Sequence, residues 1–291
     1  MITFIELLLN GVMSGTVYGL VAIGFVLIYK SSGVLNLAQG EMVMIGAYLC
    51  WAFMSQLHLP FWMSILILMV LTGALGFGLE RFPLRPLTGQ PILSLIMVTL
   101  AISMFLKAVV VALWGSLPNL AMPEFIPKRP LVVMNINLSQ ELLWMFIISL
   151  ALTGILALFF RHTRTGLNMK AVSEGHEIVQ SLGINVFFII GVVWGISAIV
   201  SAVGGVLLGS MKSIGLGLSM IGLKALPAAL IGGLDSIPGG LIGGIIVGVI
   251  EIMVGHYIGF GLKDVAPFLL LLVMILIKPY GLFGLKRIER I

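Results

Sequence analysis

The sequence predicts an all-α, polytopic membrane helix bundle of about eight or nine transmembrane segments, each needing roughly 20 apolar residues. Three observations predict it. Of the 291 residues, 60% are hydrophobic and only 9% charged, where soluble domains carry roughly 25% charged residues. The mean hydropathy is +1.20, so there is too little polar surface to clothe a 31.3 kDa body in water. Apolar runs of spanning length recur from one end to the other. This composition excludes a soluble enzyme and, despite an isoelectric point near 9.5, a nucleic-acid-binding domain. Cys50 is the only cysteine, which excludes an intrachain disulfide scaffold.

The first span covers roughly residues 7–29, from Leu7 to Tyr29, ahead of the first basic residue, Lys30. It is longer than the ~7–15-residue apolar core of a cleaved secretory signal, so it reads as a transmembrane helix. Further spans are expected at 38–57, 61–79, 91–114, 141–160, 185–209, 213–232, 236–258 and 264–278. The run at 213–232 is broken by Lys224, Pro227 and paired glycines, and 264–278 is short, which leaves eight or nine crossings. The segment 115–140 carries Pro118, Pro123, Pro127 and Pro130, too many for a long helix and too little chain for a domain. Residues 1–291 are therefore one transmembrane domain.

Charge asymmetry orients the bundle. With the loops near 30–37, 80–90 and 161–184 and the C-terminal tail inside, ten basic residues face the cytoplasm: Lys30, Arg81, Arg85, Arg161, Arg164, Lys170, Lys278, Lys286, Arg287 and Arg290. Only Lys128, Arg129, Lys212 and Lys263 face outward, while Lys107 and Lys224 fall within apolar segments. Basic residues favour the cytoplasmic side, so the N-terminus is expected outside and the C-terminus inside, with 213–232 a broken but complete crossing.

Glycines recur at four-residue spacing in Gly11, Gly15 and Gly19, in Gly240, Gly244 and Gly248, and in the pairs Gly191/Gly195 and Gly205/Gly209. Such stripes let helix backbones approach closely in lipid and predict a compact bundle.

Ionisable side chains within apolar spans are costly and face a cavity or a partner. Glu41 reads either as a carboxylate at a helix N-terminus or as part of a solute path with Asn36 and Gln39. Gln39 and Glu41 are ~200° apart on a helix, so they share a cavity only where the backbone unwinds, which Gly33 and Gly40 permit. Lys107 is expected to snorkel to the outer interface. Glu251 is open between a packing role and the path. The stretch from Lys224 to Gly244, with Pro227, Pro238 and paired glycines, is either a broken helix lining a cavity or a tight turn at Asp235-Ser236.

No phosphate-cradling Gly-x-x-x-x-Gly-Lys loop, no His-Glu-x-x-His pair and no Gly-x-Ser-x-Gly elbow occurs, and His58, His162, His176 and His256 are scattered. The chain therefore nominates no catalytic residue, no metal site and no engine of its own. The cytoplasmic segment 161–185 places Met169, Val172, Val179 and Leu182 at helical spacing, with Lys170, Glu174 and Glu177 projecting elsewhere. It is an amphipathic helix, either a connector lying on the headgroups or a docking helix for a cytoplasmic protein.

Four stretches carry a resemblance. Thr165-Gly-Leu through Lys170-Ala, Glu174 and Leu182-Gly-Ile-Asn185 is similar to the coupling loop of bacterial ABC importer permeases of the branched-chain amino acid family. Tyr18–Tyr29 followed by Gly33–Met42, Lys224-Ala through Ile231–Gly240, and Lys278-Pro-Tyr-Gly-Leu-Phe-Gly284 resemble the family's N-terminal, late glycine-rich and C-terminal patterns, in family order. Lys170 stands where Arg is usual, Gly175-His176 and Val179 replace more typical residues, and Asp235 occupies a position often held by Gly.

The resemblance implies an ABC importer permease fold in a bacterial inner membrane. It implies a second permease subunit, two cytoplasmic ATPases that bind ATP-Mg, and an extracytoplasmic solute-binding protein. This chain itself would hold no cofactor and no metal, bind no nucleic acid, and not be an enzyme. Gly166, Lys170, Ala171, Glu174 and Gly183 are the implied ATPase contacts, and Asn36, Gln39, Glu41 and Glu251 the expected translocation path. The implied cargo is a branched-chain or related amino acid. The alternatives are an amide, urea or another small carboxylate on the same machinery, or a gradient-driven secondary transporter or channel.

Overall fold

The computed structural model describes residues 2–115, 119–127, 130–133, 136–174, 179 and 183–284. Expectations resting on Pro118, Lys128, Arg129, Gly175, His176, Glu177, Leu182, Lys286, Arg287 and Arg290 lie outside the described residues. So does the side chain of Glu174.

Helix α1 is Ile2–Ser32, ended by Gly33 at φ 69°, a left-handed conformation that glycine takes without steric cost. Helix α2 is Gln39–Trp51 and widens into a π turn at Ala52–Gln56. Helix α3, Phe61–Leu79, does not stop where its apolar run ends. It continues through a π turn at Glu80–Leu84 and a 3-10 turn at Arg85–Leu87. Pro83 lacks the N–H that an α-helical bond there would need, which loosens the ladder without ending it. The expected loop at 80–90 is thus mostly helical.

Helix α4 is Ile92–Trp114, and strands β1, Pro130–Val133, and β2, Ile136–Ser139, form an antiparallel hairpin in register Leu131↔Leu138. The prolines of this region had pointed only to irregular chain, and the hairpin is an addition to the all-α expectation. Then come α5, Gln140–His162, α6, Arg164–Glu174, and α7, Val186–Met211. Helices α8, Leu218–Leu223, and α9, Ala225–Gly232, are two halves of one apolar run parted at Lys224. Helices α10, Ile237–Tyr257, α11, Phe260–Lys263, and α12, Ala266–Ile277, complete the order.

Among the described residues six helical stretches, in α1, α3, α4, α5, α7 and α10, are long and apolar enough to cross a membrane, and the α8–α9 run and α12 are shorter apolar helices. Leu66 and Val70 on α3, Met104 and Phe105 on α4, and Leu272 and Leu276 on α12 are exposed. Apolar faces of this extent suit lipid as the surrounding solvent.

The chain forms two compact units. The first contains residues 1–26, 126–150 and 224–291. Here the two glycine stripes meet each other. A Cβ on Gly15 would lie 2.7 Å from Gly244 O and Ile245 Cα, and one on Gly248 would strike Gly15 Cα. Helices α9 and α10 pack together through a tight turn, with Gly233 at φ 105° and Ser236 Oγ accepting from Gly239 N at 3.1 Å. That turn fits the Asp235-Ser236 reading, and the parting of α8 from α9 at Lys224 keeps the broken-helix reading beside it. The C-terminal segment is fastened to α9, since Leu282 N donates to Ile231 O at 2.8 Å and Phe283 N to Gly232 O at 3.0 Å.

The second unit contains residues 27–125 and 151–223. Helix α7 is its spine, with α2, α3 and α6 against it. Gly205 faces the Val43 carbonyl and Gly46 faces Ala202, so the α2 and α7 backbones touch. Leu120 and Ile214 exchange backbone hydrogen bonds at 2.9 and 2.8 Å, and Ser213 Oγ donates to Asn119 Oδ1 at 2.8 Å.

Candidate functional site: a polar node, an ion cluster and an exposed lever

Between Gly33 and α2 the chain unwinds. Asn36 Oδ1 accepts from Ala38 N at 3.1 Å, which turns the backbone into α2. Asn36 Nδ2 then donates to Gln39 Oε1 at 2.8 Å. Gln39 Nε2 donates to Ser197 Oγ at 2.8 Å and also to Ser201 Oγ, both on α7. Asn36, Gln39, Ser197 and Ser201 are all fully buried. The unwinding expected from Gly33 therefore serves to join Asn36 with Gln39. Glu41 stands outside this network. It is 4% exposed, and its Oε2 has no hydrogen-bond partner among the described residues.

Ser197 and Ser201 were missed in the sequence. Their signal was present as a four-residue polar spacing inside an otherwise apolar span, which puts both hydroxyls on one helix face.

Glu251 belongs to the other unit. There Lys224 Nζ lies 2.7 Å from Glu251 Oε1 and 2.6 Å from Asp264 Oδ1. The Tyr18 hydroxyl hydrogen-bonds to the same Glu251 carboxylate. Lys224 and Glu251 are buried, whereas the Asp264 side chain is 61% exposed. Lys224 sits at the α8–α9 break, so an unwound turn delivers a cation to the one buried carboxylate of α10. The pairing was missed because Lys224 reads in the sequence as an interruption, although opposite charges in two apolar spans were a visible cue. Lys107, by contrast, is exposed in the C-terminal half of α4.

Helix α6 turns sharply off the end of α5. Thr163 Oγ1 accepts from Gly166 N at 3.0 Å while donating to Phe159 O at 2.8 Å. A Cβ on Gly166 would sit 2.6 Å from Phe159 O and Phe160 Cα, so only glycine lets the corner close. Met169 and Val172 are buried, as is Val179, while Leu167 and Lys170 are exposed. The amphipathic character expected of this segment is thus present in α6. Ala171 is half-buried and Gly183 is exposed at φ 77°. Asn185 Oδ1 caps α7 by accepting from Phe188 N at 3.1 Å. Among the described residues, no three His, Cys, Asp or Glu side chains converge as a metal site would require.

Comparisons with known proteins identify relatives over nearly the whole chain. The model of the family described as branched-chain amino acid transport system / permease component matches residues 7–278. The high-affinity branched-chain amino acid transport system permease protein LivH of Salmonella typhimurium is 32% identical, over 99% of this chain and 98% of its own. BraD of Pseudomonas aeruginosa, which carries the same description, is 31% identical over the same shares. Among solved structures, PsaBC from Streptococcus pneumoniae in complex with Fab aligns over 94% of this chain and 92% of its own, with a TM-score of 0.51 at 15% identity, a likeness of fold alone. A helical chain with six membrane-length helices among its described residues, matching the family model over nearly its whole length, belongs to the family of branched-chain amino acid transport permeases.

Proposed function

We propose that this chain is the permease subunit of an ATP-driven importer, forming part of the translocation path for branched-chain or related amino acids. The observation that carries the reading is α6, whose Met169 and Val172 are buried and whose Leu167 and Lys170 are left exposed. A helix so presented on a chain with no nucleotide loop of its own suits a lever worked by another protein. That protein would be a pair of cytoplasmic ATPases holding ATP-Mg. A second permease subunit and an extracytoplasmic solute-binding protein would complete the machine, in a bacterial inner membrane with the N-terminus outside and the C-terminus inside. In lipid, the α2 helix with its π turn, the α8–α9 run and α12 would join the six long helices, for about eight or nine crossings in all.

Gly166, Lys170, Ala171, Glu174 and Gly183 would meet the ATPases. The stroke would pass from α6 into α7, against which α6 packs, and along α7 to Ser197 and Ser201. These hold Gln39, so movement of α7 would rearrange the polar node at the start of α2. Glu41, with an unsatisfied buried oxygen, supports placing the solute path beside that node. Glu251 lies in the other unit, where Lys224 holds its charge.

The test is ATP-dependent leucine uptake by the assembled importer in proteoliposomes, with Lys170→Ala and Glu174→Ala combined in one chain. Uptake should be lost while the bundle stays folded. Uptake and ATPase assembly that both survive the double substitution would overturn the lever. Uptake that continues without ATP on an ion gradient would overturn the ATP-driven reading altogether.

A further inference from the structure

The second unit holds a cavity of about 260 Å³ that the polar node does not use. Val34, Leu84, Val186 and Trp194 are its buried walls, and Arg85 and Thr88 are exposed at its rim. Glu80 also lines it, at 4% exposure. Pockets for drug-sized ligands run from roughly 300 Å³ upward, so this one suits something the size of an amino acid.

Its charges are arranged unusually. Glu80 makes no hydrogen bond or close ion pair with any described residue, although the positive charges of Arg85 and Arg81 both act on it. One carboxylate oxygen lies so close to the bare backbone of Gly191 that a Cβ there would be 3.1 Å away. The Arg85 guanidinium lies over the Phe187 ring, 4.5 Å from its centroid. Stacking of that kind occupies the face of a guanidinium and leaves its in-plane N–H donors for an anion. A buried carboxylate calls for a cation, and an arginine at the rim calls for an anion. Arg85 follows Glu80 across the π turn, so the two charges border one end of a mostly apolar lining.

We propose that this cavity binds a free branched-chain amino acid, its ammonium on Glu80, its carboxylate on Arg85 and Thr88, and its aliphatic side chain against Leu84, Ile190 and Trp194. The identity of the ligand rests on the amino-acid reading of the cargo given above. The segments that carry Ser32, Arg85 and Thr88 are those expected from the charge bias on the cytoplasmic side, so the occupant is amino acid already delivered. Val186, Phe187 and Ile190 belong to the first turns of α7, directly after the lever segment. Occupancy therefore loads the element through which the stroke enters, and accumulated product slows further uptake.

Phosphatidylethanolamine offers the same pair of charges, and the experiment separates it from a free amino acid. The assembled importer is placed in phosphatidylcholine nanodiscs and titrated with leucine, isoamylamine and isocaproate while tryptophan fluorescence is followed. Trp194→Phe identifies the share of Trp194 among the five tryptophans. Leucine should give a saturable Trp194 response that either analogue, Glu80→Gln or Arg85→Gln weakens by about tenfold or more, as loss of a charge-assisted hydrogen bond implies. Ile190→Phe, which fills the cavity without touching either charge or adding a tryptophan, should abolish leucine binding and serves if Glu80→Gln fails to assemble. Vesicles preloaded with leucine should show slowed uptake in the wild type and normal uptake in Glu80→Gln.

A missing Trp194 response, or one indifferent to both charge substitutions, overturns the proposal. So does a response that requires phosphatidylethanolamine and ignores leucine. Uptake without the Trp194 response sinks the cavity alone. A charge-dependent response without uptake of any branched-chain amino acid supports the cavity and sinks the transport reading alone.

Discussion

The Lys224 ammonium lies 2.7 Å from the Glu251 carboxylate, and both side chains are buried. Removing one member of a buried ion pair leaves the other charge stranded, at about 3–5 kcal/mol. Lys224→Met should accordingly lower the melting temperature of the solubilised protein sharply. Lys224→Met combined with Glu251→Met should restore part of the loss, because an apolar pair strands no charge and only the Tyr18 hydroxyl loses its acceptor. Asp264→Asn should change stability by no more than about 1 kcal/mol, since water already screens that exposed carboxylate. Thermal unfolding followed by size-exclusion chromatography reads all three.

Gln39→Leu should behave differently. It removes the donor to Ser197 and Ser201 and the acceptor for Asn36. Side-chain hydrogen bonds between membrane helices are worth only about 0.6–2 kcal/mol each, so the fold should survive. If the node serves the path, leucine uptake should fall well beyond the loss of folded protein. Uptake normalised to folded importer decides it, and a proportional fall would mean that the node is only packing.

Glycine substitutions should sort by what faces them. Gly205→Ala drives a methyl into the Val43 carbonyl, and Gly244→Ala drives one into Gly19. Overpacking of this kind costs about 1–3 kcal/mol. Gly78→Ala and Gly154→Ala meet nothing within 4 Å, so in their helices each should stabilise by about 0.5–1 kcal/mol. Melting temperatures of the four variants should split two and two.

Gly166→Ala should uncouple without unfolding. Its methyl would press on Phe159 O and Phe160 Cα and prise α6 away from the end of α5. Transport-linked ATP hydrolysis should drop while the melting temperature shifts little, because α6 is short and peripheral. A large fall in melting temperature with normal coupling would reverse the assignment.

The sequence made some of this legible and hid the rest for physical reasons. Long helices showed as apolar runs, and the glycine stripes of α1 and α10 announced close packing because backbone contact demands small residues. The amphipathic character of α6 was also visible. Gln39 with Ser197 was not, since 158 residues separate them and nothing local reports a pairing. Glu80 was misplaced for a subtler reason. Its neighbours Arg81, Pro83 and Arg85 look like a solvated loop, but the helix widens at Pro83 and carries the carboxylate inside. The hairpin at Pro130–Ser139 was masked by prolines that discourage any regular element.

The seam where Gly15 and Gly244 meet has a mechanical consequence. With carbonyls and α-carbons in direct contact there, no side chain remains between the two rods to compress or rearrange. Neither can flex without dragging the other, so along that seam they move as one rigid plate, and whatever bending the transport cycle demands has to be taken up somewhere else in the chain.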